Sequence, residues 1–155
     1  MREDWALRMK YKKEANLIKE EKNYEYLFLL FAVIVFLDRI AKNFLQDSCF
    51  WNLCIKRAMN PGAAFGIFPG MTWFFIAIAA IIIISIIMFI DDFNKLCRIA
   101  LAFIAAGTAA NMIDRIFFSV VIDLFSVFGS SSFNLADLSN LAGVILLVVG
   151  LLKKK

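Results

Sequence analysis

The chain has 155 residues, 62% of them hydrophobic, with 17 Phe against two Pro, and its apolar residues come in blocks. That distribution excludes the alternation of a soluble core and points to one compact bilayer domain. The absence of histidine excludes a His-ligated zinc site and a Ser-His-Asp triad, no HExxH or GxSxG occurs, and the net charge of +4 is placed where it argues against nucleic acid.

Residues 1–25 form a polar lead of mixed charge, including "KYKKEANLIKEEKN", with no small-residue cleavage site after a short apolar core. No cleavable signal is therefore expected, and the lead reads as a solvated or interfacial cytoplasmic helix. The first span begins near Tyr26 and is fully apolar over residues 27–37. It then carries Asp38, Arg39 and Lys42 through Leu45. The connection that follows contains "FWNLCIKRAMNPGAAFGIF" (50–68), rich in aromatic and apolar residues, with Asn60-Pro61-Gly62 as a turn signal. The proline also biases Asn60 to an extended backbone. Cys49 and Cys54 could bridge there, but their spacing matches no strong framework and unpaired small hydrophobes are the expectation.

Residues 71–90 run for 20 positions without a charge, enough to cross a hydrocarbon core at ~1.5 Å per residue. Asp91 and Asp92 then read as an ordinary polar turn. The third span is expected over residues 96–113, with Arg98 near its start and Asn111 near its end. "IFFSVVIDLFSVF" (116–128) is β-branched and aromatic, more strand-like than helical, and "GSSS" (129–132) supplies a polar turn. Residues 135–152 make the fourth span, with Asp137 in its first turn, and the chain closes on Lys153, Lys154 and Lys155.

Four spans in series put the lead, the connection with Lys95 and Arg98, and the closing lysines on one side. Seven Lys/Arg precede the first span, so the positive-inside rule places that side and both termini in the cytoplasm. The outer side then holds residues 46–70 and 115–134, expected to form a small extended platform on the membrane surface, with Phe and Trp at the interface. No glutamate follows Glu25, and five of the seven later aspartates (Asp38, Asp47, Asp114, Asp123 and Asp137) map to this outer half.

Ionisable residues within membrane spans are functional candidates once pairing has been considered. Asp38 and Lys42 are four apart with the acid N-terminal, the favourable order for an intrahelical ion pair. Asp114 adjoins Arg115, which reads as local charge balance, while Asn111 and Arg115 share a helix face. Asp123 and Asp137 have no such partner nearby in sequence, and their connection is short enough to fold back. Two carboxylates that meet cannot both ionise cheaply, so they share a proton. One can then deprotonate a water while the other donates to a peptide carbonyl. The competing role for Asp137 is helix capping, although Asn134 is better placed for it. A different class also fits acids in a membrane: a small proton- or cation-coupled transporter or channel subunit. That class leads one to expect mid-membrane charges and repeated halves, whereas here the acids cluster at one face.

Five ordered motifs carry a resemblance. "DRIAK" (38–42) is similar to Asp-x-x-Thr-Lys, "NPGAAFG" (60–66) to Asn-x-Gly-Ala-Ala-Phe-Gly, and "GTAANMIDR" (107–115) to Gly-x-x-Gly-Asn-x-x-Asp-Arg. "VVID" (120–123) and "FNLAD" (133–137) resemble two aspartate-bearing motifs of the same family. From about residue 27 to 152 the chain resembles the lipoprotein signal peptidases (signal peptidase II), bacterial membrane aspartyl peptidases. It departs from the family in having Ala41 where Thr is usual, and Ala106 and Ala110 where glycines are common.

The resemblance implies an all-α membrane protein of four transmembrane helices, with an extracytoplasmic β-cradle between helices 1 and 2 and between helices 3 and 4. It implies a single peptidase domain over 26–155 in the bacterial inner membrane, and the cytoplasmic lead over 1–25 is longer than that family needs. Asp123 and Asp137 are implied as the catalytic pair. Asp38, Lys42, Asn60, Gly62, Gly107, Asn111, Arg115, Asn134 and Ala136 are implied to bind substrate or support the site, with no metal and no cofactor. The implied substrate is a prolipoprotein cut just before a cysteine that already carries diacylglyceryl. Membrane lipid and globomycin-like inhibitors are the other expected partners.

Overall fold

The structure is a computed structural model that describes residues 2–45, 47–50, 53–63, 67–127 and 131–153. Ala64, Phe65 and Gly66 of the "NPGAAFG" motif, Trp51 of the platform, Gly129 and Ser130 of the polar turn, and Lys154 and Lys155 lie outside the described residues.

Among the described residues, four α-helices and one small sheet make the architecture. Helix α1 spans Arg2–Phe44, α2 Thr72–Phe89, α3 Lys95–Phe118 and α4 Leu135–Leu152. Strand β1 is Ser48–Phe50, β2 Leu53–Asn60, β3 Val121–Val127 and β4 Ser131–Phe133. The strands form one antiparallel sheet in the order β1-β2-β3-β4. Both expected platform segments therefore join a single sheet, with β2 beside β3.

Three helical segments among the described residues are long and apolar enough to cross a membrane: Thr72–Asp92, Lys95–Phe118 and Leu135–Leu152. Helix α1 combines an apolar stretch with the three charges Asp38, Arg39 and Lys42. It continues without a break from the polar lead into that stretch.

Local chemistry explains the helix boundaries. The run of Ile, Ala and Phe in α2 offers no breaker until the Ile90–Asp92 turn, a single 3-10 turn. Arg98 closes that turn by donating to the carbonyls of Phe93 at 2.9 Å and Asp91 at 2.8 Å. Asn94 caps α3 by accepting from the Cys97 amide at 3.0 Å, satisfying one of the free N–H groups of the first turn. Its Nδ2 also donates to the Gly150 carbonyl at 3.0 Å, which ties the start of α3 to the end of α4.

Helix α3 is the hub, packing against α1, α2 and α4. Its buried face is built from small residues, among them Ala100, Ala106 and Ala110, each fully buried. Small side chains let helix backbones approach closely, which is how helices associate where no hydrophobic drive exists between them. Gly143 of α4 sits over the Ala100 carbonyl, where an added Cβ would come within 2.8 Å. In contrast, α2 buries only Ala79 and exposes Trp73, Ile81, Ile84 and Ile87, as a lipid-facing helix does.

Two expectations are corrected here. Residues 116–118, read as strand-like, continue α3, and the chain turns at Ser119, whose left-handed φ of 61° ends the helix. The aromatic side chains of Phe117 and Phe118 remain exposed, so the helix tolerates them where a lipid interface would receive them. Cys49 and Cys54, expected to be unpaired, form a disulfide. They are directly opposed across β1 and β2, a cross-strand neighbour relation that spacing in sequence does not display.

Candidate active site

Two elements of different kinds bring the acids together. Asp123 lies on β3, opposite Ala58 of β2, where β-sheet register fixes its face. Asp137 lies in the first turn of α4, three residues past the cap. Both line one cavity of about 310 Å³, shared with Asn60, Asn111, Arg115 and Ser132.

Asn134 connects them. Its Nδ2 donates to Asp123 Oδ1 at 3.0 Å, and its Oδ1 accepts from the Asp137 amide at 2.9 Å. In return, Asp137 Oδ2 accepts from the Asn134 amide at 3.1 Å, completing a capping box. The two roles weighed for Asp137 are thus not alternatives. One carboxylate oxygen serves the cap, and the other, Oδ1, faces Asn111, whose Nδ2 donates to it at 2.8 Å.

Asp123 collects donors on both oxygens. Besides Asn134 on Oδ1, its Oδ2 accepts from Ser132 Oγ at 2.9 Å and from Asn60 Nδ2 at 3.4 Å. Burial nevertheless holds the Asp123 carboxyl above the usual carboxylate range. The Ser132 hydroxyl works against that rise, the charge of Asp137 adds to it, and the Asn60 and Asn134 amides oppose it.

The loop after β2 is folded to meet this pair. The Gly62 amide donates to Asn60 Oδ1 at 3.0 Å, a local turn that Pro61 suits because it has no N–H to leave unpaired. Arg115 of α3 reaches the same loop, donating to the Gly62 carbonyl at 2.9 Å, with its guanidinium 5.1 Å from the centre of the Phe75 ring. Gly107 lets α4 approach: a Cβ there would meet the Ala136 carbonyl at 2.3 Å, so only glycine fits beside the turn that carries Asp137.

Behind the cavity lies a buried ion cluster. Lys42 Nζ is 2.7 Å from Asp38 Oδ2 and 2.6 Å from Asp114 Oδ2. Arg39 Nη2 is 3.0 Å from Asp38 Oδ2 and 2.6 Å from Asp114 Oδ1. The intrahelical Asp38–Lys42 pair is present, but it is half of a larger group. Asp114, read as balancing its neighbour Arg115, turns instead to the two cations of α1. Adjacent helix positions point about 100° apart, so α1 and not Arg115 is what Asp114 can face. Arg57 of β2 adds a hydrogen bond to the Lys42 carbonyl.

All eleven site residues expected from sequence (the acids Asp123 and Asp137 with Asp38, Lys42, Asn60, Gly62, Gly107, Asn111, Arg115, Asn134 and Ala136) therefore fall in the cavity or in the layer supporting it. Sequence reasoning missed Ser132, which stands in the polar "GSSS" run, and Arg39, which stands beside Asp38. A hydroxyl two residues ahead of the capping Asn134 and a cation one turn before Lys42 were the available signals. Among the described residues, no group of three or more His, Cys, Asp and Glu side chains is arranged to hold a metal ion.

The family model for signal peptidase (SPase) II matches residues 30–153. The lipoprotein signal peptidase of Syntrophomonas wolfei is 32% identical over 130 residues, 77% of this chain and 87% of the relative. That of Staphylococcus aureus is 38% identical over 122 residues, 74% of each chain. Two solved structures, each of a bacterial membrane enzyme, superpose with TM-scores of 0.77 and 0.74 at 29% and 28% identity, each covering 84% of this chain and 92% or 95% of the other. The chain belongs to the signal peptidase II family.

Proposed function

We propose that the protein is an aspartic endopeptidase of the bacterial plasma membrane that removes the signal peptide from prolipoproteins, cutting before a cysteine that carries diacylglyceryl. The observation that carries this reading is the convergence of Asp123 and Asp137 on one cavity, bridged by the Asn134 side chain.

The chemistry follows from one shared proton. Asp123, buried and beside a second carboxylate, holds it. The Asp137 carboxylate takes a proton from a water seated between the acids, and the hydroxide attacks the scissile carbonyl carbon. Asp123 gives its proton to the carbonyl oxygen as the tetrahedral intermediate forms. On collapse the C–N bond breaks, the cysteine nitrogen leaves with the proton that Asp137 had taken, and a hydroxyl of the intermediate returns a proton to Asp123. Ser132 adapts to either state of Asp123, because a hydroxyl both donates and accepts.

Supporting residues divide by what they touch. Asn60 divides its amide donor between the Ala63 carbonyl and Asp123, and Asn111 donates to Asp137, so both support the pair. Arg115, on the cavity wall, is the group available to hold substrate backbone or lipid headgroup. Gly62 shapes the loop, and Gly107 and Ala136 set the approach of α4.

Helix α1 is the remaining span in this reading, its outer-end charges neutralised together with Asp114 of α3. Residues 1–25 extend it into the cytoplasm as a polar lead, and 26–155 form the peptidase domain. The charge asymmetry supports cytoplasmic termini, and the Cys49–Cys54 disulfide supports an oxidising, extracytoplasmic location for the sheet. A site at the outer boundary admits a diacylated substrate laterally from the bilayer and water from outside. Globomycin-like peptides are expected to compete for the cavity. Purified protein given matched diacylated and non-acylated lipobox peptides tests the reading. Cleavage of the diacylated peptide alone supports it, and cleavage of neither overturns it.

A further inference from the structure

The buried ion cluster touches the polypeptide at two informative points. Asp38 Oδ1 accepts from the Ala136 amide at 3.1 Å, and Asp114 Oδ2 accepts from the Ile122 amide at 3.2 Å. Ala136 immediately precedes Asp137, and Ile122 immediately precedes Asp123. Each buried acid therefore grips the residue just ahead of one active carboxylate. Hydrogen bonds to an ionised acceptor are shorter and stronger than neutral ones, so the grip depends on both acids staying charged.

Keeping two carboxylates ionised at zero exposure requires two cations. Lys42, also buried, supplies one and lies between the acids. Arg39 supplies the other, with Nη2 in contact with both acids and 3.5 Å from the Ala110 carbonyl. Without Arg39 the cluster would carry one negative charge in excess, and the acid left short of a cation would lose the contact that holds it where it accepts from its amide.

We propose that Arg39 is a positioning residue for the cleavage reaction: it completes a neutral four-charge cluster with Lys42, Asp38 and Asp114, and through those acids it fixes the backbone that presents Asp123 and Asp137. Arg39 stands at an x position of the Asp-x-x-Thr-Lys pattern that "DRIAK" resembles, so the resemblance itself assigns it no role. The inference rests on the peptidase reading above, because it concerns how the two acids are held for that chemistry.

The test uses the full-length protein in lipid, a diacylglyceryl-modified lipobox peptide, and four forms: the parent, Arg39→Gln, Arg39→Lys and Asp123→Asn. Parent cleavage that Asp123→Asn abolishes shows that the peptidase reading stands independently of Arg39.

Arg39→Gln is expected to lower kcat by about tenfold or more with KM within about twofold, because misplacing a reacting group by a fraction of an ångström costs turnover before binding. Arg39→Lys, which keeps the charge, is expected to recover most of that loss. Unchanged kcat in Arg39→Gln overturns the proposal. So does a loss that Arg39→Lys does not repair, since a purely packing role for the arginine would not respond to charge. If Arg39→Gln fails to fold, Arg39→Lys decides: near-parent kcat supports the proposal, and a tenfold loss with a folded protein overturns it.

Discussion

The Asn134 side chain donates to Asp123 at 3.0 Å while the same residue caps the helix that carries Asp137. One residue therefore sets the distance between a strand-borne acid and a helix-borne one. Replacing it with alanine removes an N-cap, worth ~1 kcal/mol, and releases Asp123 on one oxygen. The expected outcome is a modest fall in melting temperature with at least a tenfold loss of kcat. Asn134→Ser keeps a capping oxygen but is too short to reach Asp123. It should therefore regain melting temperature without regaining turnover, and equal recovery of both would show that the bridge is dispensable.

Asp123 also links stability to pH. Burial raises its carboxyl in the folded protein above its unfolded value, so the protonated form is the one folding favours. The stability it contributes is present below the ordinary carboxylate range, near pH 4, and is lost as pH rises through the raised value. Asp123→Asn should consequently melt higher than the parent at neutral pH, with the gap closing as pH falls toward 4. A gap that widens on acidification would reverse the assigned direction. In the parent, turnover should decline on the alkaline side as Asp123 loses its proton.

Gly107 is the position where α3 and α4 come closest beside the site. A methyl group there would overlap the Ala136 carbonyl at 2.3 Å and Asn140 Oδ1 at 2.6 Å, and backbone cannot rotate away as a side chain can. Gly107→Ala should cost about 1–3 kcal/mol, the range for overpacking, and reduce turnover by moving Asp137. Thermal unfolding and cleavage rate measured on the same preparation check both halves. A stable, fully active alanine variant would mean that the helices separate freely.

The disulfide binds β1 to β2 at the edge of the sheet, away from the carboxylates. Its cysteines have a sequence separation of 5, and for a loop this short chain entropy gives a stabilisation of about 2 kcal/mol. Paired substitution of Cys49 and Cys54 by serine should lower the melting temperature while leaving KM close to the parent's. A large change in KM would show that β1 helps to bind substrate.

Much of this arrangement was legible in the residues because the bilayer imposes long apolar runs. The featureless stretch of α2 and the apolar block of α4 announce their spans directly, and Asn134 ahead of Asp137 announces a cap. What sequence could not show is which partner a charge chooses in space. Asp114 has Arg115 as its neighbour in the chain, yet helix geometry points it to Arg39 and Lys42, 75 and 72 positions earlier by residue number. Cys49 and Cys54 likewise become neighbours only once β1 folds back on β2. The end of α3 was misplaced because β-branched and aromatic residues at 116–118 favour strand locally, while helix continuation simply exposes them.

The most direct measurement compares cleavage of a diacylglyceryl-modified prolipoprotein by the parent, Asp123→Asn and Asp137→Asn, with folding verified by thermal unfolding. The account predicts that each asparagine variant remains folded and loses roughly 10³-fold or more of the parent rate, the scale on which a group acting in concert with a partner is missed. Parent-like cleavage by either variant would contradict the two-aspartate mechanism.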